Sequence, residues 1–96
     1  MGKLQVHYPA GEVRLIHGKA TAVRGEANIT FPAGTFSTAP VFLCNAQGDS
    51  FRNVVLVTST IALTQSGATV DAWYWDNKSN FVLAQGAVIS WIAIGG

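Results

Sequence analysis

Two short stretches concentrate residue types that suit a polar, ring-shaped ligand. "NAQGDSFRN" (45–53) sets Asp49, Arg52 and Asn53 around Phe51, and "WDNKSNF" (75–81) sets Trp75, Asp76, Asn77, Lys78 and Phe81 in one loop. A sugar offers apolar C–H faces that stack on indole or phenyl rings, and hydroxyls that need fixed partners such as Asp, Asn and Arg. The opposing reading is that both stretches are ordinary polar turns whose Asp and Asn side chains satisfy backbone groups. On residue types alone the two readings stand level.

Other chemistry finds less to work with. His7 and His17 are the only histidines, and neither sits near a nucleophile motif such as G-x-S-x-G. The carboxylates are Glu12, Glu26, Asp49, Asp71 and Asp76. Glycoside hydrolysis needs two of them about 5 to 9.5 Å apart across a cleft. Asp71 reads as a strand residue and Asp76 as part of the loop after it, so no shared cleft is indicated. The two polar loops do not reproduce calcium-loop spacing, glycine-rich phosphate cradles are absent, and a lone Cys44 in "VFLCN" forms no intrachain disulfide or thiolate cluster. A binding protein without metal or cofactor is expected, not an enzyme. Lys3, Arg14, Lys19, Arg24, Arg52 and Lys78 are scattered singly and the net charge is +1. No clustered basic face for nucleic acid results.

The elements that must position these loops are strands. Candidate runs are "EVRLIH" (12–17), "ATAVR" (20–24), "ANITF" (27–31), "APVFLCNA" (39–46), "NVVLVTS" (53–59), "IALTQ" (61–65), "ATVDAWYW" (68–75) and "AVISWIAI" (87–94), with turns expected at Gly18-Lys19 and Gly25-Glu26. Their β-branched and aromatic content favours strand, and no window carries a capped helical stripe. Strands at this spacing predict an antiparallel sandwich or barrel. The domain division expected is an extension over residues 1–10 and one sandwich domain over 11–96.

Composition adds a constraint on assembly. Of 96 residues 49% are hydrophobic and only 11% charged, against about 25% charged in an average soluble domain. No apolar run approaches the roughly 18 residues of a membrane helix, so membrane insertion is not expected. The N-terminal stretch lacks the apolar core of a signal peptide. In "AVISWIAI", Val88, Ile92 and Ile94 point one way while Ile89, Trp91 and Ala93 point the other, and "VVLV" (54–57) repeats the pattern. A sheet with one wet face would alternate apolar with polar. A neighbouring protomer is the expected cover, hence a closed homo-oligomer.

The succession "ITFPAGTFSTAPVFL", "GDSFRNVVLV", "GATVDAWYW" and a terminal "ISWIAIG" resembles the H-type lectin domain, and also the lectin-like tip domains at the C-termini of bacteriophage tail fibres. The most specific parts are the ending and the block Thr30, Phe31, Pro32, Phe36, Pro40 and Val41. The likeness spans residues 11 to 95. It implies a six-stranded antiparallel β-sandwich that assembles as a homotrimer and binds sugar between protomers without a metal. It also implies a virion or extracellular setting. Family members carry a segment like W-A-D-T-x-x-Y; Trp75 takes the place of its Trp and Phe81 that of its Tyr, without the hydroxyl. Asp49 corresponds to an acidic residue that holds sugar hydroxyls, and Arg52 or Asn53 to a polar residue at the start of the next strand. Two functions follow from the resemblance: a glycan-binding module for host or cell-surface recognition, or a structural trimeric phage tail or virion component that binds no sugar.

Along residues 70–75, period two places Val70, Ala72 and Tyr74 on one side and Asp71, Trp73 and Trp75 on the other. The first set is expected in the core. The second carries an ionisable Asp and is expected at a groove or between protomers, with Trp73 at an interface and Trp75 on the ligand.

Overall fold

A computed structural model describes residues 13–48, 51, 54–76 and 80–96. The expected extension over 1–10 lies outside these residues, as do Asp49, Arg52, Asn53 and Asn77. Every described element is a strand: β1 (Arg14–Thr21), β2 (Glu26–Thr30), β3 (Val41–Gln47), β4 (Leu56–Thr64), β5 (Gly67–Trp75), β6 (Phe81–Leu83) and β7 (Val88–Gly95). The strands form two antiparallel sheets. One has the order β1-β7-β3; in the other β5 pairs with β4 along one edge and with β2 and then β6 along the other. The all-β architecture of two antiparallel sheets is that of a β-sandwich.

Alternation fixes which side of each sheet faces inward. From the first sheet Ile16, Phe42, Cys44, Ile89, Trp91 and Ala93 pack into the interior; from the second come Ala27, Ile29, Ala68, Val70, Ala72 and Tyr74. The Cys44 thiol lies 3.8 Å from Thr58 Oγ1 across the gap between β3 and β4. Cys44 is therefore a half-buried packing residue. Phe31, between β2 and β3, meets Phe36 edge-on at 5.5 Å and Trp91 at 5.5 Å, and Phe42 stacks on Trp91 at 6.1 Å. The two segments that carry the family resemblance thus meet as one aromatic packing cluster.

Three strand boundaries differ from the sequence expectation. Gly18 is no turn: β1 runs straight through it, opposite Trp91 on β7. A Cβ on Gly18 would stand 2.9 Å from the indole, so the glycine makes room for the ring inside a strand. The strand expected over 20–24 therefore divides between the end of β1 and the turn expected at Gly25-Glu26, which forms at Arg24 and Gly25, both with positive φ (54° and 79°). This is the two-residue primed geometry in which glycine is at ease. The expected break at residue 60 is a register shift between Thr60 and Ala62 within one long β4. Finally, the described residues hold seven strands where the resemblance implies six. The three-residue β6 is too short and too exposed to show period two.

The apolar side chains are distributed unusually. Of the twelve buried apolar residues described, seven are alanines, whereas twelve Val, Leu, Ile or Phe residues are well exposed. Much of the surface that would drive burial stays outside this single chain.

Candidate functional site

The β5–β6 hairpin builds one end of the molecule. Trp75 closes β5 opposite Phe81, the first residue of β6. The backbone N–H of Asp76 donates to Asn80 O at 3.0 Å, and the N–H of Asn80 donates to Asp76 Oδ1 at 3.2 Å. Asp76 therefore bonds within its own connection, as the plain reading of a polar turn expects. At the neck of this turn the Trp75 and Phe81 rings meet edge-to-face, centroids 5.2 Å apart and planes at 60°. Phe81 is 56% exposed and Trp75 half-buried.

The second candidate loop arrives at the same end. The Trp75 N–H donates to Val55 O at 2.9 Å, joining the connection before β4 to the end of β5. Phe51 is half-buried and its ring lies 5.4 Å from Tyr74, so it anchors its loop on the core and is not presented to a ligand. Its N–H donates to Gly48 O at 3.0 Å, and Val54 N–H to Phe51 O at 3.3 Å. Of the candidate residues, Trp75, Asp76 and Phe81 are thus brought together.

The expected division of β5 holds. Val70 and Ala72 are fully buried and Tyr74 packs on the core; Asp71, Trp73 and Trp75 face outward. What the sequence did not supply is their neighbours. On the outer face Trp73 stands between Val57 and Leu83, Asp71 between Ser59 and Glu26, and Thr69 between Ala62 and Asn28. Alternation was the available signal for β5 itself, but the partners come from three other strands and no local pattern identifies them. Asp71 and Glu26 are like charges set directly opposite, an arrangement that costs stability.

The outer face of the β1-β7-β3 sheet is graded by rows. Leu15, Ile94 and Val41 form one row and His17, Ile92 and Leu43 the next; then follow Lys19, Ser90 and Asn45. A shallow groove of about 460 Å³ runs over His17, Lys19, Leu43, Asn45, Ser90 and Ile92. No described element lies over this face, and Leu43 is 61% exposed.

Among the described residues no three of His, Cys, Asp or Glu gather as a metal site, and no helix is long and apolar enough to cross a membrane. A scan against models of known protein families finds no match, and a search of curated proteins finds none either.

Proposed function

We propose that this chain is a lectin-like, carbohydrate-binding module that recognises cell-surface glycans, acting by attachment without catalysis, metal or cofactor. It belongs, on this reading, to the H-type-lectin-like sandwiches that work as homotrimers, as the tip of a phage tail fibre or as a free-standing lectin, in a virion or extracellular setting. The observation that carries it is the Trp75–Phe81 pair, set edge-to-face where β5 and β6 pair, with Phe81 exposed and the end of β5 bonded to the connection before β4. Such a pair offers a ring face for C–H stacking beside loops rich in Asp, Asn and Arg. Asp49, Arg52, Asn53 and Asn77, outside the described residues, complete the proposed hydroxyl-binding set with Asp76.

The trimer is supported by the alanine-rich interior and the uncovered apolar rows on the β1-β7-β3 sheet. Covering those rows with sister protomers would bury Leu15, Val41, Leu43 and Ile92; that the sugar sites lie near protomer boundaries is what the lectin resemblance implies. Shallow sites of this kind bind at about millimolar to micromolar strength. Three on one trimer raise avidity on a dense surface with no new contact.

A second reading has its own observation. Asp76 Oδ1 is taken by the Asn80 N–H and the Phe81 ring leans on Trp75, as in a purely structural hairpin of a trimeric virion component. A glycan array and a cell-binding assay on wild type and Trp75→Ala separate the two. Binding lost in a folded, trimeric Trp75→Ala supports the lectin; a wild type that binds no glycan and no cell surface supports the structural component.

A further inference from the structure

The outer face of the β5 sheet continues away from the aromatic pair, and its chemistry changes in step. Successive outward residues on a strand are about 6.8 Å apart, so Trp73 lies one step from Trp75 and Asp71 two. The Trp75–Phe81 row is followed by Trp73 with Val57 and Leu83, then by Asp71 with Glu26 and Ser59, then by Thr69 with Asn28. The last two rows are wired together. Asn28 Nδ2 donates to Glu26 Oε1 at 3.3 Å, and Thr69 Oγ1 donates to Asn28 Oδ1 at 3.1 Å. Beyond them a groove of about 340 Å³ runs between Asn28, Thr30, Ala62, Thr64, Ser66 and Thr69. Aromatic rings, then carboxylates, then amide and hydroxyl groups thus share one open, continuous face.

The carboxylates give that face its selectivity. Asp71 and Glu26 stand opposite each other, and no described Lys or Arg pairs with either. Two anions so placed repel, and a ligand ammonium set between them removes the repulsion while gaining charge-assisted hydrogen bonds. The neighbouring Trp73 ring adds a face that also attracts a cation. Resting on the glycan reading above, we propose that the ligand is an extended oligosaccharide bearing free amino groups. Its chain lies along β5 from Trp75 past Trp73, with an amine held between Asp71 and Glu26 and further hydroxyls on Asn28 and Thr69.

The test is calorimetric titration of a glucosamine tetrasaccharide and of its fully N-acetylated counterpart, at a pH where the amines are protonated, into the full chain. Wild type is expected to bind the amine form at least about tenfold more tightly, as befits a charge-assisted bond, and to lose that preference as salt rises. The Glu26→Gln/Asp71→Asn double variant keeps these side chains' shapes. It is expected to stay folded and to lose the preference. Equal affinity of wild type for the two sugars, no binding of the amine form, or a preference that survives in the double variant overturns the proposal. The glycan reading stands apart from that failure if array binding persists and depends on Trp75. If the array is also blank, both fall.

Discussion

Leu43→Asp is the perturbation that speaks most directly to assembly. In the single chain Leu43 is 61% exposed on the outer face of the β1-β7-β3 sheet, flanked by Ile92 on β7. Full burial of a leucine is worth about 1.5 to 3 kcal/mol, so covering the exposed part contributes roughly 1 to 2 kcal/mol per protomer. Three copies bring that to about 3 to 5 kcal/mol per trimer, or two to four powers of ten in the assembly constant. Aspartate removes this and adds an unpaired carboxylate to an apolar contact, which costs more. The protomer itself loses little, because the side chain points away from its own core and surface substitutions typically stay within about 0.5 kcal/mol. Size-exclusion chromatography with light scattering reads the outcome. Wild type is expected at three times the 10.2 kDa chain mass, and Leu43→Asp as a folded monomer with an unchanged β-type circular dichroism spectrum. A wild type that is monomeric at micromolar concentration refutes the reasoning, and a Leu43→Asp variant that remains trimeric refutes the choice of face.

Three further predictions test the fold beneath the site. A Cβ on Gly67 would lie 2.2 Å from Ile29 O, a backbone atom, whereas the nearest atoms to one on Gly18 belong to the Trp91 side chain; Gly67→Ala is therefore expected to lower the urea midpoint more than Gly18→Ala, whose overpacking costs about 1 to 3 kcal/mol. Ile89 is fully buried near the start of β7, the middle strand of its sheet, and Ile89→Ala should cost about 2 to 5 kcal/mol in denaturant unfolding; a loss below 1 kcal/mol would mean that the interior is not packed as described. Glu26→Gln removes one of two facing like charges and should raise stability by about 0.2 to 1 kcal/mol at neutral pH; a drop in the melting temperature would show that the two carboxylates do not repel.

The central strands were readable because their information is local. Alternation in "ATVDAWYW" separates Val70, Ala72 and Tyr74 from Asp71, Trp73 and Trp75, and β5 divides them that way. Gly18 was misread because its role depends on Trp91, far along the chain, whose indole fills the space a side chain would take. The break expected near Thr60 had the look of a turn but is absorbed by a bulge against β5. β6 is three residues with every side chain exposed, so neither period nor burial marks it. Of the residues proposed for the site, type and spacing single out Trp75 and Phe81, and the fold sets their rings together. Phe51 looked equally available, and only its contact with Tyr74 shows it to be an anchor. The Asp71–Glu26 pairing is a matter of strand order, which no single segment carries. The segments behind the family likeness, around Phe31 and Trp91, form packing contacts, so they inform the fold more than the ligand.

A crystal of the protein soaked with the glycan that binds most strongly on an array tests the central claim most directly. The account predicts a trimer with a sugar ring packed on Trp75 beside Phe81, at the end built by the β5–β6 turn and the connection before β4, close to a protomer boundary. A monomer with no sugar density there, or with density only at a remote surface, would contradict it.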